Sequence, residues 1–314
     1  MKLSLNLIPE CPTAEIVALA VEAERLGFDR CWVYDEGLVT RDVYVVLTAI
    51  AAATQRLELG PGITNPYTRH PAQTASAIAS LDEVSGGRAF LGVGAGGTLT
   101  LDPIGMTRRR PLAAVAQTIE VARRLFTGSS VDYAGDSVAL SGAAMVYGRA
   151  NTEVWLAGRG PKMLALGGRL ADGVMLDFIL TARLGDAIAQ VRAAGGRRIC
   201  YSTSIITTHE DLEAVRPHMT YRLVDAPPAV QQQIGLTEQD AATIRAAMAG
   251  GLEAAAVHVR DEWIEPFVLQ GSAAEWSAEL SDLCERHDIE EFLLPVFEMP
   301  DPAAYLARVA SALR

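Results

Sequence analysis

Two short apolar runs, each closed by glycine and held apart by one helix-length segment, constrain this chain more than any other feature. The stretch reads LELGPGITNPYTRHPAQTASAIASLDEVSGGRAFLGVGAGG, from Leu57 to Gly97. Its first run, Leu57 to Ile63, is broken by Gly60, Pro61 and Gly62. A polar loop follows, Thr64 to His70, and Pro71 then opens a segment with apolar residues at helical spacing, which Ser85-Gly86-Gly87 stops. The second run, Ala89 to Val93, ends in Gly94, Gly96 and Gly97. Short buried strands separated by a helix pair in parallel. Both strands then end on one side of a sheet, the side on which α/β proteins bind ligands.

The same alternation continues in both directions. Before the stretch come a strand at Leu3–Ile8, a helix at Thr13–Leu26 capped by Thr13 and ended by Gly27, a strand at Arg30–Asp35 and a helix at Asp42–Ala53. After it, a linker leads to a helix at Pro111–Phe126, and Gly128, Gly135, Gly142 and Gly148 punctuate an inserted hairpin. Strand Glu153–Ala157, helix Pro161–Leu170, strand Gly173–Asp177, helix Thr181–Ala194 and strand Arg198–Ile206 follow. Residues 209–285 read as mostly helical, longer than one helical return requires, and suit an elaborated connection or lid. Strand Phe292–Val296 and helix Pro302–Leu313 close the pattern. Eight strand candidates in 314 residues predict a (β/α)8 TIM-type barrel with a short hairpin insertion and a long helical connection before the last strand, all in a single domain over 1–314.

Composition narrows the partners. A net charge of −11 argues against a nucleic-acid backbone, which requires clustered Lys and Arg. The one dense basic run, Arg108-Arg109-Arg110, reads either as a solvated helix start before Pro111 or as a clamp on an anionic ligand tail. Four cysteines at unpaired spacings suggest neither disulfides nor zinc, and the histidines show no metal spacing. No apolar run approaches the roughly 20 residues of a membrane span, and no signal-peptide pattern precedes the first strand. A cytoplasmic enzyme acting on a small molecule is the expectation.

In a barrel of this kind, reactive groups come from the C-terminal ends of strands. Those ends are Asn6, Asp35 with Glu36, Gly62 to Asn65, Gly94 to Gly97, Gly158 to Gly160, and Asp177, with Thr207 and Glu298 following. The loop of Ala95, Gly96 and Gly97 has little side chain to keep a ligand from the backbone. It is not a Rossmann fingerprint, because the spacing differs and no helix is expected directly after it. Gly158-Arg159-Gly160-Pro161-Lys162 leads into a helix, and its N–H groups and cations suit a phosphate; the alternative is an ordinary strand-to-helix turn. Of the adjacent acids Asp35 and Glu36, strand alternation lets only one point into the barrel mouth. Asn6, Asn65 and Tyr67 are placed to touch ligand. His70 is expected to cap its loop, and Trp32 and Trp155 to lie in the core.

Gly-Ile-Thr-Asn-Pro-Tyr-Thr-Arg-His-Pro at 62–71, with Leu81-Asp82-Glu83 and Ser85-Gly86-Gly87-Arg88, resembles the bacterial-luciferase-like superfamily. Within it the likeness is to the coenzyme F420-dependent branch typified by methylenetetrahydromethanopterin reductase. Further matches at Gly27-Phe28-Asp29, Tyr34-Asp35, Ala157 to Met163 and Ala171-Asp172-Gly173 fall in the same order. The resemblance implies hydride transfer to or from a C=N, C=C or C–OH group, F420 as cofactor, and a homodimer. It implies a cis bond without proline at Gly62–Ile63, whose bulge supports the deazaflavin ring, and an acid at Asp35 against the cofactor. Relatives often carry a histidine proton donor where Glu36 stands; Glu36 is therefore either the donor or a surface acid. Sugar-phosphate dehydrogenases of the group carry an acid where this chain has Gly97, which disfavours that substrate. Two alternatives remain: an FMN-dependent monooxygenase, and a non-catalytic flavin- or deazaflavin-binding protein.

Overall fold

The computed structural model describes residues 1–296 and 299–313. The strands in chain order are β1 (Lys2–Leu7), β2 (Arg30–Val33), β3 (Glu58–Pro61), β4 (Leu91–Val93), β5 (Val131–Ala134), β6 (Ala139–Ala143), β7 (Val154–Ala157), β8 (Gly173–Asp177), β9 (Arg198–Ser202), β10 (Ile205–Ile206), β11 (Leu269–Gln270) and β12 (Glu291–Val296). The helices are α1 (Thr13–Arg25), α2 (Val43–Ala53), α3 (Pro71–Ser85), α4 (Thr98–Leu101), α5 (Pro111–Phe126), α6 (Pro161–Leu170), α7 (Leu184–Ala193), α8 (His209–Val224), α9 (Pro228–Gln233), α10 (Glu238–Ala247), α11 (Leu252–Ala256), α12 (Asp261–Ile264), α13 (Ala273–His287) and α14 (Pro302–Ala312).

Eight strands form one sheet in the order β3-β2-β1-β12-β9-β8-β7-β4. Parallel bridges from Leu59 to Ala89 and from Thr64 to Val93 bring its two edges together, so the sheet is a nearly closed barrel. The (β/α)8 reading therefore stands. β5 and β6 pair antiparallel as the inserted hairpin.

The sequence reading departs from the structure in four places. Thr13 does not cap α1; Pro12 holds that position without a side-chain bond, and Thr13 is the first helical residue. The expected strand Arg198–Ile206 is two strands, because β10 leaves the barrel to pair with β11. A single turn, α4, follows Gly97 directly where no helix was expected. Glu298 lies outside the described residues.

The chain divides into two compact units. One comprises 1–177, 186–201 and 289–293; it holds the barrel strands, apart from the last residues of β9 and β12. Its interior is layered. At the N-terminal ends of the strands, Arg30 binds Glu291 at 3.0 Å, Glu153 at 2.9 Å and Glu58 through Nε at 2.8 Å. Ser4 and the Trp32 indole donate to Glu291, Lys2 pairs with Glu58, and Arg198 and the Trp155 indole bind Glu153. Above that ionic layer pack Trp32, Phe90, Trp155, Met175, Cys200 and Leu293, with Ile63 and Ala157 against them. Trp32 meets Trp155 and Phe90 edge-on, so both tryptophans are core, as their place inside strands implies.

The other unit comprises 178–185, 202–288 and 294–314. It carries the long helical connection, from α8 to α13. Thr208, Thr237 and Ser272 start α8, α10 and α13 with capping boxes. Tyr305 of α14 donates its hydroxyl proton to the Ile205 carbonyl at 2.9 Å.

Candidate active site

The site is built at the C-terminal ends of β1 to β4 and β7, within the barrel unit. β3 ends at Pro61, and the next peptide bond but one, Gly62–Ile63, is cis. Gly62 is wedged: a Cβ there would lie 2.6 Å from Trp32 Cβ and 3.0 Å from Asn6 Oδ1. Its carbonyl accepts a bond from Asn6 Nδ2 at 3.0 Å. Asn6 itself is buried, and its Oδ1 has no partner among the described residues. Asn65 is similar. Its Oδ1 accepts from the Tyr67 and Thr68 amides, while its buried Nδ2 is left unpaired. Two unpaired buried amide atoms at strand ends are the pattern of a ligand site whose ligand completes the bonding.

The glycines divide into two kinds. Gly94 makes room for protein: a Cβ there would fall 1.9 Å from Ile63 Cδ1. Gly158 does likewise against Met163, at 2.5 Å. Gly97 and Gly160 face open space, with nothing within 4 Å of where a Cβ would stand. The expected approach of ligand to backbone is thus available at Gly97 and Gly160, with Gly96, left-handed at φ 71°, turning the chain between Ala95 and Gly97. Gly160 also precedes Pro161 at the start of α6. Arg159 and Lys162 beside it are exposed and have no ion-pair partner among the described residues. A helix N-terminus flanked by two free cations suits an anion.

The two acids do not obey strand alternation. β2 stops at Val33, so Asp35 and Glu36 lie in the loop beyond it and need not face opposite ways. Thr64 Oγ1 donates to Asp35 Oδ2 at 2.7 Å, and Thr100 Oγ1 of α4 donates to Glu36 Oε2 at 2.6 Å. Both carboxylates are thus held by hydroxyls from the two central loops. Burial pushes the Asp35 carboxyl above its usual range; the Thr64 bond and Arg69 oppose that push, while Asp42 adds to it.

The remaining residues separate. The Tyr67 hydroxyl donates to the Arg109 carbonyl at 3.0 Å, which ties it to the arginine linker. His70 Nδ1 accepts from Ala72 N at 3.2 Å and caps α3. Of the arginines, Arg108 donates to the Gly96 carbonyl at 3.0 Å, and Arg110 pairs with Asp136 at 2.7 Å. Asp177 ends β8, beside β7 in the sheet. Thr64 and Thr100 were not singled out from sequence; each lies inside a segment already marked, but a threonine hydroxyl has no pattern of its own.

The family described as luciferase-like monooxygenase matches residues 6–287. The chain is similar to a 5,10-methylenetetrahydromethanopterin reductase from Archaeoglobus fulgidus, 32% identical over 301 residues and 90% of each chain. It is similar over about half its length to an F420-dependent glucose-6-phosphate dehydrogenase from Amycolatopsis mediterranei, 32% identical over 187 residues and 54% of each. Its fold matches the structure of coenzyme F420-dependent tetrahydromethanopterin reductase from Methanopyrus kandleri with a TM-score of 0.88 and 26% identity, over 99% of this chain and 98% of that one.

Proposed function

The chain belongs to the luciferase-like monooxygenase family, and from that premise we propose that it is a coenzyme F420-dependent oxidoreductase transferring a hydride between the deazaflavin and a small organic substrate. Relatives named as F420-dependent or methylenetetrahydromethanopterin reductases support the cofactor. The residues fit it independently. The observation that carries the reading is the pair of unpartnered buried amides, Asn6 Oδ1 and Asn65 Nδ2, beside the Gly62–Ile63 turn.

When bound, F420 supplies a ring carbon that gives or takes a hydride. Ile63, packed on the aromatic layer, is the apolar wall for the ring, and Asn6 and Asn65 offer it an acceptor and a donor. Asp35 and the backbone of Ala95, Gly96 and Gly97 line the same mouth. Gly158, Arg159, Gly160 and Lys162 hold the phosphate, by N–H groups and charge. Glu36, oriented by Thr100, holds or releases the accompanying proton. Tyr67 and Asp177 are placed for substrate. We assign the whole activity to one domain over 1–314, active as a homodimer in the cytoplasm; no described helix is long and apolar enough to cross a membrane.

Fluorescence titration with F420 and with FMN tests the cofactor. Saturable F420 binding is expected; FMN binding in its place would favour the monooxygenase, and binding of neither would sink both. Glu36→Gln keeps the acceptor for Thr100 but cannot pass a proton. Its turnover is expected to fall by about 10²- to 10⁴-fold with F420 affinity retained; unchanged turnover removes Glu36 from proton transfer.

A further inference from the structure

Behind Asp35 lies a row of hydroxyls that hydride transfer does not call upon. Thr64 has one hydroxyl proton and gives it to Asp35 Oδ2 at 2.7 Å, so any further bond at that oxygen must be accepted. The Tyr44 hydroxyl, from α2, interacts with Thr64 and with Thr74 of α3. Tyr44 Oη and Thr74 Oγ1 are both buried, and neither makes a bond of full geometry among the described residues. A buried hydroxyl left unpaired costs about 1–3 kcal/mol, and rotation of its hydrogen is the cheapest remedy. One arrangement satisfies every oxygen. Thr74 donates to Tyr44, Tyr44 to Thr64, and Thr64 to Asp35.

We propose that Tyr44 is a positioning residue for Asp35, acting through Thr64 to fix one carboxylate oxygen and to favour the charged form. The proposal rests on the reading of Asp35 as an acid of the cofactor site. A row of donors that all point toward a charge reinforce one another. Around the row, Arg69 lies over the Tyr44 ring at 4.5 Å and pairs with Asp42 at 3.2 Å. These are the charged groups acting on Asp35: Asp42 raises its pKa and Arg69 lowers it. Burial pushes the Tyr44 phenol up to about 12, so it stays a neutral donor over the working range of pH.

Loss of a donor that favours the carboxylate must move the Asp35 titration to higher pH. The test is a ¹³C NMR titration of the Asp35 carboxyl carbon in ligand-free protein, for the parent chain, Tyr44→Phe, Thr64→Val and the double variant. Tyr44→Phe is expected to raise the midpoint by roughly half a unit and Thr64→Val by about one unit. The double variant is expected to match Thr64→Val, because the tyrosine acts only through the threonine. An unmoved midpoint in folded Tyr44→Phe, or shifts that add in the double variant, would overturn the relay. The titration needs no cofactor. A chain that shows the relay but does not bind F420 refutes only the proposed cofactor; F420 binding with an unmoved midpoint refutes only the relay.

Discussion

Arg30→Met is expected to destabilise the protein by about 3–5 kcal/mol, the usual cost of removing one partner from a buried ion cluster. The guanidinium is 1% exposed and reaches three carboxylates, Glu58, Glu153 and Glu291. It also lies over the faces of Phe90 and Trp155, at 4.6 and 4.9 Å. Methionine restores some of the packing and none of the charge, leaving three carboxylates to face each other. The effect has a sign in pH. Burial raises the Glu153 pKa, but Arg30, the Trp155 indole and Arg198 outweigh it and hold it at about 2. Glu58 is lowered as well: burial opposes, and Arg30 and Lys2 prevail. A carboxylate with a depressed folded pKa contributes stability above its unfolded value, about 4.3, and loses it as pH falls toward the folded value. The gap between parent and variant should therefore be widest near neutrality and narrow from about pH 4 to 2. Urea unfolding at a series of pH values measures it. A gap that stays constant with pH would mean that lost packing, not lost charge pairing, dominates.

Gly160→Asp separates binding from folding. Open space surrounds that position, so the new side chain displaces nothing. Gly160 precedes α6, where aspartate is a favoured cap. The variant should melt at the parent temperature or slightly above it. Yet it sets a negative charge between Arg159 and Lys162, where the cofactor phosphate is proposed to lie. F420 affinity is expected to drop roughly 10- to 100-fold, or about 1.4 to 2.8 kcal/mol. Unchanged affinity in the folded variant would remove this loop from the site. Gly158→Asp would not serve, because Met163 occupies the space its Cβ needs and a folding defect would mask the readout.

Those two glycines show what could be read in advance and what could not. The barrel was legible because apolar runs, glycine stops and helical spacing recur along the whole chain, and each is a local signal. The mouth residues were legible for the same reason: they follow strand ends. What a glycine is for was not. Gly94 gives way to Ile63, a residue thirty-one positions earlier by sequence number and brought alongside only when β3 and β4 close the barrel. Gly97, three positions on, gives way to nothing. The ionic layer was hidden too. Arg30, Glu58, Glu153 and Glu291 each stand at the edge of an apolar run, where a charge looks like a solvated boundary, and only closure of the sheet turns those edges inward. The split of β9 from β10 has a similar origin. Ser202, Thr203 and Ser204 are fully buried, and a polar stretch within an otherwise apolar segment did not mark the point where the backbone changes partners.

The ionic floor has a consequence for traffic. Arg30 and its carboxylates stopper one end of the barrel, and the tryptophans fill its waist, so nothing crosses the bore. Whatever settles deepest against Ile63 must arrive first and depart last. Kinetics at this enzyme should accordingly be ordered, with the redox carrier as the leading reactant and the trailing product.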